Sequence, residues 1–533
     1  MFHLQTNTPS LAPAFTFTAK PFYREFRGFR FFRARVLMLW VACAALLCAT
    51  PALAQFSSTG SIVPPLPAGQ PSPWTIAGNL DVGAGAVGTL TIDAGGAVSN
   101  LNGSVGMNYN GAVTVSGAGA TWTNNGELSV GYGGSGTLNI LDGGSVSSES
   151  GIIGFTSDGQ VTVDGAGSTW SVTSDVLYVG DIGQGTLNVT GGGSVSGPTY
   201  EIHIGDEAAG VGAVTVSGSG STLQATTVYV GYSGQGALTI ADDGAVTATG
   251  PVTLGFYAGG FGTLNIGAPA AQPTAAPGSL NATSVNVGDG TGALVFNHLD
   301  NSGNYAFSQP ISGNLTLDVW AGMTALTGAN AYGGATTVRG GTLAADGADT
   351  LSPDSDFSVE HNGTLALQSS DDQTVASLNN AGLVTLHANP ATGTTLIVTG
   401  DYSGDGGVIA LDATLDDSAS ATDKLVVGGD AQTGTTKLRV TNAGGLGAQT
   451  TGDGILLVQV TGASNATFAL ESPIPPVGGF QYTLAKVGNN WYLQSKLLGS
   501  SATAIPALGE TSLVLLALLL VGGAAARMRR KQA

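Results

Sequence analysis

A few groups of residues have types and spacing that would support chemistry. Asp401-Tyr-Ser-Gly-Asp405-Gly406, followed by Asp412, puts acids at the first, fifth and twelfth positions of a loop, the oxygen-ligand spacing of a calcium site. The same segment reads equally as a strand turn, because no helices flank it as an EF-hand requires. Asp242-Asp243 and Asp371-Asp372 are carboxylate pairs of the kind a glycoside hydrolase divides into acid and base. Adjacent carboxylates point apart on a strand or share a turn, so solvated turns are the better reading of both. His203 lies between Ile202 and Ile204, with Asp206 and Glu207 close behind, which fits the outward face of a strand. His298, His361 and His387 show no metal-ligand spacing. Leu80-Asp-Val and Leu317-Asp-Val match a short integrin-type tripeptide but equally fit strand sequence. No catalytic, cofactor-binding or metal-binding residue is therefore assigned, and no cofactor is expected.

The elements that must carry these residues repeat. A short strand ending in Val-Gly, or a close variant, recurs at Gly83, Gly106, Gly131, Gly154, Gly180, Gly205, Gly231 and Gly255, at intervals of 23, 25, 23, 26, 25, 26 and 24 residues. Val285-Asn-Val-Gly288 resumes the pattern after a Pro/Ala-rich insertion near Pro269–Pro277. Each unit holds a second strand, such as Gly88-Thr-Leu-Thr-Ile92 or Gly136-Thr-Leu-Asn-Ile140, in which apolar residues alternate with Thr or Asn. That alternation is what a strand with one buried face requires. A weaker third strand, such as Ser145-Val-Ser-Ser148, completes the turn. Three short strands in about 25 residues predict an all-β fold, a right-handed parallel β-helix (solenoid). About 17 rungs at ~4.8 Å each would make a rod on the order of 80 Å long. Pairs of units taken as single blades keep a β-propeller as the alternative. Trp122, Trp170 and Leu223 fall at matching places in alternate units, predicting a stacked ladder in the core or along a groove.

Composition agrees with a turn-rich ordered β-protein. Glycine supplies 84 of 533 residues, 42% are apolar and only 10% are charged, whereas a disordered chain is polar and charge-rich. The charge is unevenly placed. No Lys or Arg occurs from Val36 to Val338, and Gln55–Ala526 carries six basic against 34 acidic residues, a formal −28. Nucleic acid is a poor partner for such a body.

Both ends carry export features. Basic Arg24–Arg35 runs into apolar Val36–Leu47, and Ala52-Leu53-Ala54 supplies the small residues for signal-peptidase cleavage before Gln55. An N-terminal membrane anchor is the alternative. Both cysteines, Cys43 and Cys48, lie inside that segment, so the expected mature body has no thiol chemistry. At the other end, Ile505-Pro506-Ala507-Leu508-Gly509-Glu510 precedes apolar Leu513–Ala526 and then Arg527, Arg529 and Arg530. This three-part tail resembles the IPTL-CTERM sorting signals, cousins of PEP-CTERM. Ala507 stands in place of the usual Thr and Gly509 in place of the usual Ser, and the Trp-Gly after the Glu is missing. The resemblance implies a membrane sorting protease as partner; a plain tail anchor is the alternative.

Past Phe296 the period loosens. Leu326-Thr-Gly-Ala-Asn-Ala-Tyr-Gly-Gly-Ala-Thr-Thr-Val-Arg-Gly-Gly-Thr-Leu343 resembles the passenger-associated repeat of bacterial autotransporters. From Gly400 the chain is similar to the C-terminal passenger region of pertactin-like autotransporters. The residues that carry this likeness are Gly400-Asp-Tyr-Ser-Gly404, Thr422-Asp-Lys-Leu-Val426, Val440-Thr-Asn442, Gly452-Asp-Gly-Ile455 and Trp491-Tyr-Leu-Gln-Ser495. The resemblance implies a region that closes the β-helix and assists its folding during secretion. In that family a long outer-membrane barrel follows, whereas 38 residues follow Ser495 here, and the sorting tail is expected in its place.

The expected organisation is a signal peptide with an extended basic region at 1–54 and a Pro-rich linker at 55–75. Regular β-helix follows at 76–295, passenger-associated-repeat β-helix at 296–399 and an autochaperone-like region at 400–498. A linker at 499–504 leads to the sorting tail with its apolar helix at 505–533. The expected function is a non-catalytic β-helical protein of the envelope surface or extracellular matrix, for adhesion or biofilm structure. Its expected partners are the export machinery, the sorting protease, and an extracellular polysaccharide or a host or neighbouring cell surface. A polysaccharide-active β-helical enzyme, or a degenerate autotransporter that lost its barrel, is the alternative.

Overall fold

The computed structural model describes residues 55–198, 200–386, 392–499, 514–521 and 527. The chain divides after Ala54 into two compact units, and the described residues all belong to the second. In it the alternating strands pair not with their sequence neighbours but with the same strand one repeat later. Leu90 pairs with Val113, Leu138 with Val161, and Val161 with Leu187, all in parallel register. A propeller blade pairs consecutive antiparallel strands, so this register removes that alternative. The result is a parallel β-solenoid of about 14 turns.

Each regular turn carries three strands, one in each of three sheets. The Val-Gly strands, from Leu80–Val82 to Ala331–Tyr332, lie in a 12-stranded sheet. The second strands, beginning with Gly88–Ile92, lie in a 20-stranded sheet, and the third strands in a nine-stranded sheet that runs from Trp74–Thr75 to Ser279–Asn281. Alternate residues of each strand turn inward: Leu90, Ile92, Val113, Val115, Leu138 and Ile140 are buried, while the intervening Thr and Asn are half-exposed. At each corner a glycine closes the turn. Gly154 has φ 78°, and a β-carbon there would lie 2.2 Å from the Gln184 carbonyl oxygen of the next rung, so no other residue fits.

The Trp ladder is core. Trp74 pairs with Val98, Val98 with Trp122, Trp122 with Val146, and Val146 with Trp170, giving an alternation of large and small residues along the axis. Trp122 and Trp170 are fully buried. The indole of Trp122 donates to Asn100 Oδ1 at 2.7 Å, and Asn100 Nδ2 donates to Asn124 Oδ1 at 2.7 Å, so the polar edge of the ring is satisfied inside the core.

Beyond Asn297 the section changes. Strands lengthen to 10–12 residues at Thr336–Ala345, Asp356–Leu367 and Tyr402–Ala413, wrapping a corner through a register shift such as that between Val338 and Gly340. A six-stranded sheet takes over the remaining side. Rungs here first shorten to about 20 residues, Leu317 pairing with Thr336 and Thr336 with Phe357, and then lengthen to about 30, Val408 pairing with Lys437 and Thr435 with Thr467. The solenoid has about 14 turns where a uniform period predicts about 17; the long final rungs, the insertion at 268–278 and the C-terminal hairpin take up chain without adding turns.

Both ends of the solenoid are covered. Phe56–Gly60 runs antiparallel along Gly88–Ile92, and Ile62–Val63 antiparallel along Leu80–Val82. The stretch 55–75, expected as a linker, is thus a cap: its prolines interrupt a strand layer that takes up the open hydrogen-bonding edge of the first rung. At the other end Asn490–Leu497 pairs antiparallel with Ile455–Val460 and forms a hairpin with Phe480–Val487. Asp423, fully buried, holds this region together from the side. Its Oδ1 accepts from the Gly393 and Thr394 N–H groups at 2.9 and 3.0 Å, and its Oδ2 from the Asp412 N–H at 2.8 Å.

Two stability outcomes follow. Trp122→Ala is expected to cost about 3–5 kcal/mol, and Trp122→Leu less, because Leu223 fills the corresponding place four units on; urea denaturation followed by far-UV circular dichroism measures both. Asp423→Ala strands three backbone donors and is expected to cost about 3 kcal/mol or more, with Asp423→Asn intermediate because it keeps one acceptor oxygen.

Candidate functional site

In-register stacking turns every sequence position into a column along the axis. The residue just after each corner glycine forms one such column: Met107, Tyr132, Phe155, Asp181, Asp206, Tyr232, Phe256 and Asp289. Backbone bonds fix the neighbours, with the Phe155 N–H on the Gly131 carbonyl at 3.0 Å, Asp181 on Gly154 at 3.1 Å, Asp206 on Gly180 at 2.9 Å and Phe256 on Gly231 at 3.1 Å. Tyr132 stacks on Phe155 with ring centroids 4.9 Å apart, and Tyr232 stacks on Phe256 at 5.0 Å. Two aromatic pairs thus bracket a pair of acids.

Beside this column runs a second, the outward residue of the Val-Gly strand: Tyr178, His203 and Tyr229 on successive rungs. His203 faces away from the core, between buried Ile202 and Ile204, as its flanking residues imply. Yet it is only 7% exposed, because rings close over it: Tyr178 at 5.3 Å and Tyr229 at 5.0 Å edge-on, and Tyr232 stacked at 4.1 Å. Its Nδ1 lies 2.6 Å from Asp206 Oδ1, and its Nε2 lies 3.5 Å from Glu201 without a hydrogen bond.

Electrostatics follow from this crowding. Desolvation, then the charges of Asp206, Glu207 and Glu127, raise the Asp181 carboxyl to about 6. Burial, then the charges of Asp206, Asp175, Asp181 and Glu201, push the Tyr178 phenol up. Burial and a hydrogen bond with Tyr257 raise Tyr232 to about 12. Among the described residues, His203 is the nitrogen-bearing side chain set against these acids, with Nδ1 on Asp206 and Nε2 facing Glu201. The arrangement is a cluster of acids flanked by aromatic side chains on the outer face of the solenoid.

A second feature lies at Arg339. Its guanidinium binds Asp318 at 2.9 Å on one side and Glu360 at 2.9 Å on the other, and sits 5.1 Å above the Trp320 ring. A groove of about 400 Å³ opens beside it, lined by Ser358, Glu360, His361, Asn379 and Asp405. Lyase chemistry would need a free basic group beside acids, and this arginine is already committed to two carboxylates.

The remaining sequence candidates fall into structural places. Asp401 Oδ1 accepts the Asp430 N–H at 2.8 Å and Oδ2 the Gln432 amide at 2.9 Å, while Asp430 Oδ1 in turn accepts the Ala463 N–H at 2.8 Å. The calcium-like spacing is therefore also the spacing of a turn ladder, and Asp412 is buried next to Asp423 instead of converging on Asp401. Asp242 and Asp243 sit in a turn at φ 49° and 63°. Asp372 caps the Thr395 N–H at 2.7 Å. His298 is buried against Thr324 at 2.8 Å, and burial lowers its pKa. His361 lines the Arg339 groove, and His387 lies outside the described residues. Leu80-Asp-Val and Leu317-Asp-Val are strand segments whose Leu and Val side chains are core.

Ala52 and Ala54 of the expected cleavage site lie outside the described residues; Gln55 is described, and its carbonyl accepts the Asp93 N–H at 2.9 Å. Ile505, Pro506, Ala507, Leu508, Glu510, Arg529 and Arg530 also lie outside them. Residues 514–521 are helical and exposed, and Arg527 is exposed. Among the described residues no helix is long and apolar enough to cross a membrane.

Residues 373–484 match the family described as Autochaperone Domain Type 1. The chain is 46% identical over 118 residues to the uncharacterized protein YdeU of Escherichia coli (strain K12), 21% of this chain and 25% of that one. It is 40% identical over 131 residues to the adhesin BmaC autotransporter of Brucella suis biovar 1 (strain 1330), 22% of this chain and 4% of the relative. It is 38% identical over 112 residues to the autotransporter adhesin AIDA-I of Escherichia coli, 20% of this chain and 8% of the relative. The chain thus spans a quarter or less of the length of these curated relatives. Among solved structures, the Haemophilus influenzae Hap adhesin overlaps 75% of this chain and 62% of its own, at 14% identity and a TM-score of 0.29.

The acid cluster has a pH signature. A carboxyl whose folded pKa is raised is most favourable when protonated, so its contribution falls as pH rises from about 4 through about 6. Asp181→Asn is therefore expected to raise stability at pH 7.5 by about 1 kcal/mol, a figure reduced for partial solvent screening, and to lose that gain below about pH 4. Denaturant midpoints across that range measure it.

Proposed function

We propose, from the premise that residues 373–484 form an autotransporter-type autochaperone segment, that this protein is an exported β-solenoid passenger acting as a non-catalytic adhesive surface. The observation that carries the reading is the parallel solenoid, whose regular rungs present an outward column of aromatic and acidic residues and whose later rungs fall in that segment. Relatives that share the matched stretches include proteins named as adhesins. The absence of catalysis is supported by how the reactive side chains are spent: Arg339 is tied to two acids, and the carboxylate pairs sit in turns.

On this reading the N-terminal segment directs export and is removed before Gln55. The tail from Ile505 through Arg530 engages a membrane sorting protease, which leaves the rod at the outer surface or in the extracellular matrix. An extracellular polysaccharide or a neighbouring cell surface is what the rod would meet there. Its strong negative charge makes nucleic acid a poor partner.

The full chain expressed in a non-aggregating bacterium provides the test. Fractionation with intact-mass analysis is expected to place the body outside the inner membrane with Gln55 at its N-terminus, and the cells are expected to gain surface or cell–cell adhesion. Full-length chain in the cytoplasm, or glycan turnover that is lost on changing a single acid, would overturn the reading.

A further inference from the structure

The groove beside Arg339 has a simple origin in the strand register. On the rungs that bend here, Val338 pairs with Val359, Val359 with Asn380, and Asn380 with Gly404. The next residue of each, Arg339, Glu360, Ala381 and Asp405, therefore takes the same corner on four successive rungs. Three of these are charged, but the rung between Glu360 and Asp405 offers only Ala381 and then Gly382. The N–H groups of both bond to the Val359 carbonyl, at 2.8 and 3.0 Å, so this small rung is held against its neighbour. With strands about 4.8 Å apart, it leaves a gap on the order of 10 Å along the axis between the rungs on either side. That gap is the groove of about 400 Å³, and ligand pockets span roughly 300–1,000 Å³.

We propose that this groove binds a neutral oligosaccharide, with one sugar ring over Ala381 and its hydroxyls shared among Asn362, Asn379 and Asp405. The lining has the polar groups for it, and most are unspent. Among the described residues, no hydrogen bond within the chain engages the side chains of Ser358, His361, Asn362 or Asp405. Asn379 Oδ1 accepts from the Ser403 hydroxyl at 3.0 Å, which leaves its Nδ2 to donate outward. Amides that donate and accept, beside a carboxylate that accepts, match sugar hydroxyls, each of which does both. Arg339 is held by Asp318 and Glu360 and so gives the groove a fixed wall. Charge and polarity exclude other occupants. Asp318, Glu360 and Asp405 outnumber the one guanidinium, so phosphate, sulfate and uronate groups are disfavoured. Only Val359 and Ala381 are apolar in the lining, which gives a lipid or an apolar side chain no wall to rest on. Among the described residues no three His, Cys, Asp or Glu side chains are placed to hold one metal ion.

The inference rests on the adhesive reading for its setting and names the chemistry of one partner. Its test is separate, a binding measurement on purified full-length protein: sugar binding by a protein whose cells do not adhere would remove the adhesive reading and leave this one in place. Isothermal titration at pH 7.5 would use cellohexaose, maltohexaose, mannohexaose and chitohexaose, with hexagalacturonate as the anionic counterpart. At least one neutral hexasaccharide is expected to bind, with Kd on the order of 1 mM or tighter, and hexagalacturonate at least tenfold more weakly. Asn379→Ala/Asp405→Ala is expected to weaken the neutral ligand at least tenfold. Asn301→Ala/Asp346→Ala, which removes the same groups from exposed positions outside the groove, is expected to change it less than twofold. Ala381→Gln, which fills the gap and leaves every polar group in place, is expected to abolish binding, and circular dichroism of each variant confirms that the fold is retained. No binding of any of the four neutral sugars, tighter binding of hexagalacturonate, or equal weakening by the two double variants would overturn the proposal.

Discussion

Everything in this molecule depends on one constraint: each strand must hydrogen-bond, in register, to the same strand one turn earlier. The corner glycines enforce it. The Gly131 N–H meets the Val105 carbonyl at 2.8 Å, Gly154 meets Val130 at 2.8 Å, Gly180 meets Ile153 at 2.7 Å and Gly205 meets Val179 at 2.8 Å, so the chain turns at the same place on every rung. The approach is close enough that a side chain on any of these glycines would run into the backbone of the next turn. Once the register is fixed, side-chain identity at one position is read against the same position above and below. The core becomes columns of Leu, Val and Ile, and polar columns become ladders, as with Thr222 on Ser194 at 2.8 Å and Asn265 on Thr239 at 3.1 Å.

A stack held in this way is open at both ends, and open strand edges recruit other strands. The two ends solve the problem by the same device, a reversal of strand direction. An antiparallel layer at Phe56–Val63 covers the first rung, and an antiparallel hairpin at Phe480–Leu497 covers the last. Reversed strands end the parallel register, because their own side-chain columns no longer match a further rung. Near the C-terminal end the turn ladder passes from glycine to aspartate: Asp401 and Asp430 each take the backbone N–H of the corner one turn on. Side-chain caps of this kind tolerate longer and less regular rungs than a bare glycine corner, which fits the wider section of this part.

Much of this was legible in the sequence, for a physical reason. The spacing of Gly83 through Gly255, and the Thr-Leu-Asn-Ile type alternation between them, encode register and buried face directly, so the solenoid, the core ladder of Trp122 and Trp170, and the turn setting of Asp242-Asp243 could be read from residue patterns. The caps could not. Phe56-Ser-Ser-Thr-Gly60 carries no repeat signal, and prolines at 64, 65, 67, 71 and 73 suggest a linker, because antiparallel pairing to a distant strand leaves no local periodicity. The count of turns was missed because a uniform period was extended past Asn297, where rungs vary from about 20 to about 30 residues and the final hairpin adds chain without a turn. The acid cluster was overlooked although its signal was present. Tyr132, Phe155, Asp181, Asp206, Tyr232 and Phe256 all follow a repeat glycine directly, but the column appears only when the repeats are aligned and read across. His203 shows the limit of reading along the chain. Its flanking isoleucines place it on the outer face, but its burial depends on Tyr178 and Tyr229, a full turn away on either side.

Stacking in columns also carries an electrostatic penalty, and the acid cluster shows it. In a parallel in-register sheet, like charges on adjacent rungs lie about 5 Å apart, close enough to raise each other's proton affinity even at a surface. Along most outward columns this chain avoids the penalty with Ser, Thr and Asn, which hydrogen-bond to their neighbours in a ladder. Elsewhere it neutralises the charge, as Arg339 does between Asp318 and Glu360 on the rungs before and after it. At Asp181 and Asp206 acid follows acid between aromatic rungs; Asp206 is bonded to His203, and Asp181 keeps the penalty as a raised proton affinity. Polar ladders a few residues away show that the same backbone accepts the less costly solution. A solenoid that keeps a desolvated carboxylate at Asp181 beside the charges of Asp206 and Glu207 is less stable at neutral pH than one with a neutral polar residue in that place.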